Sequence, residues 1–175
     1  MVKGMYQHLR KTWKKPRENL GPLLKSKISS WREGATVTRV DKPMRIDKAR
    51  NLGYKAKKGF VVVRVKIRKG GRRRPLYGRR GRKPSKAGLV HFTHSKSLQW
   101  IAEERAAKRY QNLEVLNSYY VGEDGQMKFF EVILVDPNSP EIMKDKRMKW
   151  ITNPANRRRV LRGLTSAAKH SRGLK

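Results

Sequence analysis

Between Lys48 and Ala102 the chain carries 18 lysines and arginines and no aspartate or glutamate, and from Lys146 to Lys175 it carries 10 more, again with no acid. Cations at that density repel one another, so neither stretch is suited to closing on itself as an ordinary core does. Of the 13 acids, 9 fall between Glu103 and Asp145, where 5 basic residues accompany them. That window has a formal charge of −4, and with +32 on the whole chain the remainder carries +36. The pattern is that of a near-ordinary body with polycationic arms. Such arms need a polyanion between them, and counterion release from a phosphate backbone is the strongest compensation available.

The length of 175 residues suits one domain with extensions, so residues 1–175 are read as a single unit. An apolar content of 37% lies below the usual roughly 45–50%, which leaves core for part of the chain only. Four Trp, six Tyr and four Phe nevertheless argue against a wholly disordered polycation. The chain has no cysteine, which excludes disulfides, thiolate zinc sites and cysteine nucleophiles and favours a reducing compartment. The start MVKGMYQHLRKTWKK has no apolar segment of signal-peptide length, and no run approaches the ~20 apolar residues of a membrane span. A pI near 11.3 points to nucleic acid first and an anionic membrane surface second.

Met5, Tyr6, Leu9 and Trp13 recur at helical spacing with cations between them, predicting an amphipathic helix that Pro16 ends or kinks. A second helix runs through Leu20, Leu23, Leu24, Ile28 and Trp31 to Gly34. ATVTRV (35–40) reads as a strand, and DKARNLG (47–53) as a short helix capped by Asp47 and stopped by Gly53. In GFVVVRVKIRK (59–69), Val61, Val63, Val65 and Ile67 share one strand face, and Arg64, Lys66 and Arg68 form a row of cations on the other. SKSLQWIAEERAAKRYQ (95–111) is a helix with a serine cap, and LEVLNSYYV (113–121) and MKFFEVILVD (127–136) form a β-hairpin. Ser139–Pro140 and Asn153–Pro154 each open a short helix. The expected fold is α+β: a small, mostly antiparallel sheet with helices packed on one face, a long basic loop over 69–94, and a basic C-terminal extension over 146–175.

The Gly-Arg loop is the strongest functional signal. From Lys69 to Lys83, 8 residues are basic and 4 are glycine. Arg72, Arg73, Arg74, Arg79, Arg80 and Arg82, with Lys69, Lys83 and Lys86, offer forked and point-charge contacts to phosphate, and Tyr77 offers a surface for base stacking. Glycines let that backbone approach phosphates closely. A second cluster, Arg157, Arg158, Arg159 and Arg162 with Arg172, lies near the C-terminus; on a helix it would point in all directions, as suits a segment wrapped by RNA. His91 is three residues from His94, but with no third ligand nearby the pair reads as hydrogen-bonding to RNA or as simple packing, not as a metal site. Glu103 and Glu104 diverge by ~100° on a helix and read as partners for Arg105, Lys108 and Arg109, not as an acid-base pair. No nucleotide-binding glycine loop is present, and no cofactor or small-molecule substrate is expected.

Three long strings carry a resemblance: DKARNLGYKAKKGFVVVRVKIRKGGRRRP (47–75), SLQWIAEERAAKRYQNLEVLNSYYVGEDGQMKFFEVILVDP (97–137) and WITNPANRRRVLRGLTSAAKHSRGL (150–174). They closely resemble large-subunit ribosomal protein fifteen of the archaeal and eukaryotic type, a family distinct from the bacterial protein of that number. The likeness runs from Tyr6 to Leu174. It implies a non-enzymatic constituent of the large ribosomal subunit, embedded in large-subunit ribosomal RNA beside neighbouring ribosomal proteins in the cytoplasm. It also implies RNA contacts at Lys55, Lys57 and Lys58, from Arg68 to Lys83, and from Arg157 to Arg162. Eukaryotic relatives run on past SRGL into a further basic tail; this chain stops at Lys175, which points to an archaeal source and to contacts of that tail being absent.

Two other readings compete. An RNA-processing enzyme or chaperone outside the ribosome would need a general base or metal beside the cations, but the basic runs hold no carboxylate. A DNA-compacting protein would need a repeated or symmetric basic face, and the cations here sit in irregular loops.

Overall fold

The computed structural model describes residues 4–71, 81, 83 and 94–174. Most of the basic loop, including Arg72, Arg73, Arg74, Tyr77, Arg79, Arg80, Arg82, Lys86 and His91, lies outside the described residues.

Three helices open the chain: α1 (Met5–Lys14), α2 (Pro16–Asn19) and α3 (Gly21–Glu33). Pro16 and Pro22 sit in the first turns of α2 and α3, where the missing N–H costs nothing. α3 buries Leu24, Ile28 and Trp31, one per turn along one stripe. Then come β1 (Val37–Val40), α4 (Ile46–Asn51), β2 (Phe60–Arg68), α5 (Leu98–Arg109), β3 (Glu114–Glu123), β4 (Met127–Val135), α6 (Pro140–Met143), two 3-10 turns (Lys149–Thr152 and Pro154–Asn156) and α7 (Ser166–Ser171). Gly53 has φ +97 and ends α4 as expected. Asp47 does not cap α4: Arg45 holds that position, and Asp47 is buried in the first turn.

The sheet is antiparallel throughout, in the order β1-β2-β4-β3. β4 is central, and the run FFEVILV at its core is buried residue after residue. That is the signature of a strand covered on both faces. One core joins Phe129, Ile133 and Val135 to α3, α4, α6 and the segment after it; the other joins Val63, Val65, Phe130 and Val132 to α5 and α7. The α+β class and antiparallel sheet agree with expectation, but helices cover both faces, not one. The reason lies in the N-terminal helices and the tail, which supply apolar stripes for opposite sides.

Two further differences follow. The cationic row of β2 does not face solvent: the Arg64 guanidinium lies 4.3 Å over the Trp31 ring, and Lys66 donates to the carbonyls of Arg32 and Gly34. Arg68 alone of the three is exposed. The segment from 146 onward is also not a free extension. Met148, Ile151, Val160, Thr165, Ala167 and Ala168 are all buried, and small residues let α7 lie close against the sheet.

Candidate nucleic-acid interface

The placement of the acids decides where positive charge remains uncompensated. Glu103 and Glu131 are fully buried. Glu103 accepts hydrogen bonds from the Ser118 and Thr165 hydroxyls at 2.5 Å each, tying α5 to β3 and to the start of α7. Glu131 accepts from the Tyr119 hydroxyl at 2.6 Å and from the Met44 N–H at 2.9 Å. Burial raises both carboxyls above their ordinary range. Glu114 accepts the Arg158 N–H at 2.8 Å. Glu104 pairs with Lys96 at 2.5 Å, so neither glutamate balances the cations of its own helix as expected. These carboxylates bind the body together from within. Among the described residues no cluster of three or more His, Asp or Glu side chains is arranged to hold a metal.

The expected RNA-binding residues divide into three groups. Lys55 and Lys57 converge on Asp145, with Nζ–Oδ2 distances of 2.6 and 2.7 Å. Hydrogen bonds from Lys55, then from Lys57 and the Arg147 N–H, hold the Asp145 carboxyl well below the usual carboxylate range. Lys58 beside them is exposed. Lys69 is fastened to the β3–β4 turn, donating to Glu123 at 3.3 Å and to the Asp124 carbonyl at 3.1 Å. Arg68 just before it and Lys83 beyond are exposed.

The third group lies in the C-terminal turns. Arg157, Arg158, Arg162 and Arg172 are exposed. They do not share a helix: a 3-10 turn ends at Asn156, and Arg158 adopts φ +52. That left-handed step reverses the chain, so consecutive arginines diverge because of the turn. Arg162 donates to the Ala155 and Arg157 carbonyls, which stiffens the loop while its guanidinium stays at the surface. Arg159 turns inward. Its Nη1 donates to the Val115 and Leu116 carbonyls at 2.8 and 2.9 Å, and its guanidinium lies 5.0 Å from the Trp150 ring centre. Burial lowers its pKa, opposed by Glu103 and Glu114.

Arg159 is one of three side chains fastened on the outer edge of β3. Gln99 donates to Ser118, and Arg45 donates to the Tyr120 carbonyl at 3.3 Å. An edge strand whose carbonyls are taken in this way resists pairing with another chain.

Exposed cations also occur outside the expected set. Lys11 and Lys14 on α1, Arg17 on α2 and Lys25 on α3 belong to the N-terminal helical layer. The helical spacing of apolar residues assigns those cations to an outer face; what sequence does not supply is the position of that face beside the sheet.

The Ribosomal L15 family matches this chain over residues 4–175. The large ribosomal subunit protein eL15 of Picrophilus torridus is 53% identical over 171 residues, covering 97% of this chain and 87% of the relative. The protein of the same name from Metallosphaera sedula is 51% identical over 176 residues, covering 99% of this chain and 80% of the relative.

Proposed function

The chain belongs to the Ribosomal L15 family, and from that premise we propose that it acts as a structural constituent of the large ribosomal subunit in the cytoplasm, binding and cross-linking large-subunit ribosomal RNA. The observation that carries this reading is the separation of charge: Asp47, Glu103, Glu114 and Glu131 are buried and Glu104, Glu123, Asp124 and Asp145 pair with neighbouring cations, while the sequence as a whole carries a net +32. Arg68, the loop arginines from Arg72 to Arg82, Lys58, Lys83, Lys86, Arg157, Arg158, Arg162 and Arg172 are the proposed phosphate contacts, with Tyr77 and His91 contacting bases or riboses. Lys55, Lys57, Lys69 and Arg159 already hold protein acceptors, so they support the interface by fixing its backbone. Each cation inserted among phosphates releases condensed counterions and lets separate RNA helices approach. No chemistry on the RNA is required. Neighbouring ribosomal proteins complete the setting.

The test is the salt dependence of binding to a large-subunit RNA fragment. With ~10 phosphate contacts, affinity falls by about 10³–10⁵ between ~50 and ~200 mM salt. Affinity that hardly changes over that range contradicts the mechanism. Turnover of the RNA that disappears on replacing one carboxylate would instead establish the processing-enzyme reading.

A further inference from the structure

A cavity of about 560 Å³ opens along the outer edge of β3, between α4 on one side and α5 and α7 on the other. The volume is in the range of small-ligand sites. Its wall includes Arg45, Lys48, Gln99, Asn117, Tyr120 and His170, and no carboxylate. The apolar groove beside α3, by contrast, has Glu123 and Asp124 in its wall.

The groups in the β3 cavity are set out in a useful order. Arg45 is held in place, its guanidinium 4.8 Å from the Trp13 ring centre and its Nη1 on the Tyr120 carbonyl. Lys48 and His170 are exposed, with no side-chain hydrogen bond or ion pair to any described residue. Gln99 uses its amide nitrogen on the Ser118 carbonyl and hydroxyl, at 3.1 and 2.9 Å, which leaves its carbonyl oxygen as an acceptor. Asn117 does the reverse. Its carbonyl oxygen accepts the Ser118 N–H at 2.9 Å, which leaves its amide nitrogen as a donor. An acceptor and a donor thus belong to one wall, each fixed by the bond of its other half to Ser118. Of the aromatic members of the wall, Tyr119 is buried, whereas Tyr120, 39% exposed, and His170 present surface to the cavity.

We infer that this cavity receives one nucleotide turned out of the bound RNA, its base against Tyr120 and the Gln99–Asn117 amides and its phosphate between Lys48 and His170. The inference rests on the RNA-binding reading above. A donor and an acceptor in one wall match the edge of an unpaired base, and cations without a carboxylate match its phosphate. An acidic peptide is the weaker occupant. It would add along β3 as a strand, but the Ser118 N–H and carbonyl and the Tyr120 carbonyl are already engaged.

The experiment uses large subunits assembled with the full chain. Ultraviolet cross-linking and mass spectrometry are expected to find a nucleotide adduct on the peptide bearing Tyr120 or His170. In subunits carrying Lys48→Ala with His170→Ala, that adduct disappears and one unpaired nucleotide gains reactivity toward a base-specific probe. Both positions are exposed, and the thermal midpoint of the isolated variant should match the parent. With the isolated variant and an RNA fragment, the slope of log affinity against log salt falls by about 1, for the one phosphate no longer neutralised. If no adduct falls on this edge and no nucleotide changes reactivity, while adducts do form elsewhere on the chain, the cavity assignment is wrong and the RNA-binding reading stands. A Lys48 cross-link to an acidic segment of a neighbouring protein also overturns it. Absence of adducts and reactivity changes anywhere on the chain removes both readings.

Discussion

Single residues here carry consequences that composition hides. Gly59, in the turn before β2, has φ +87, and a Cβ there would stand 2.6 Å from Ile142 Cγ1 and 2.9 Å from the Ser139 hydroxyl. The position needs glycine twice over, for its backbone and for the space taken by α6. Gly59→Ala is expected to lower stability by about 2–4 kcal/mol, the left-handed penalty plus overpacking, read as a shift in the urea midpoint at unchanged slope. Glu103 gives a different signature. Burial raises its carboxyl from an ordinary value of 4.5, so the folded state favours the protonated form. Its contribution to stability is full below that ordinary value and is lost as pH rises through the raised folded-state value. Glu103→Gln removes the titration and keeps one acceptor. As pH rises above the ordinary carboxylate range the parent should therefore lose stability relative to the variant, as urea titrations of both would show. Asp145 works in the opposite sense: its lowered pKa stabilises the fold above its unfolded value, and that contribution fades on acidification.

At the scale of elements, the outer edge of β3 unites fold and interface. Arg159, Gln99 and Arg45 arrive from the C-terminal turn, α5 and the start of α4 to occupy its carbonyls. Arg159→Ala leaves the Val115 and Leu116 carbonyls without that donor and should cost about 1–3 kcal/mol, whereas Arg157→Ala, at an exposed position, should change stability by less than about 0.5 kcal/mol. Combining Arg159→Ala with Gln99→Ala frees the edge and should produce concentration-dependent self-association in sedimentation velocity runs. These roles were not legible in the sequence. Runs rich in β-branched and aromatic residues, bounded by Gly, Pro and Asp, located each of the four described strands. They could not tell that Arg159 points inward among three consecutive arginines, since that depends on φ +52 at Arg158. The two-sided cover of the sheet was partly visible. FFEVILV on β4 lacks alternation, as a strand buried on both faces should. The cationic row on β2 misled for a related reason: a long aliphatic stem lets Arg64 stack on Trp31 and still read as polar in sequence.

For the whole molecule, segregated charge sets two opposing salt responses. Without RNA, +32 of formal charge on one small body repels itself, and the compact state carries that cost more heavily than the unfolded chain. Added salt shortens the screening length from about 10 Å near 0.1 M toward about 3 Å near 1 M and relieves the repulsion. The described ion pairs are few and mostly at the surface, such as Lys15 with Glu18, so screening them costs little in return. The thermal midpoint of the isolated chain should therefore rise with potassium chloride over the range in which RNA affinity falls. Measuring both on one preparation separates the two effects. A midpoint that fell in parallel with affinity would mean that exposed ion pairs, and not the two buried cores, hold the free protein together. The same reasoning bears on why Glu103, Glu114 and Glu131 are buried in a fold this cationic: turned outward, those carboxylates would stabilise the free chain and weaken its hold on phosphate.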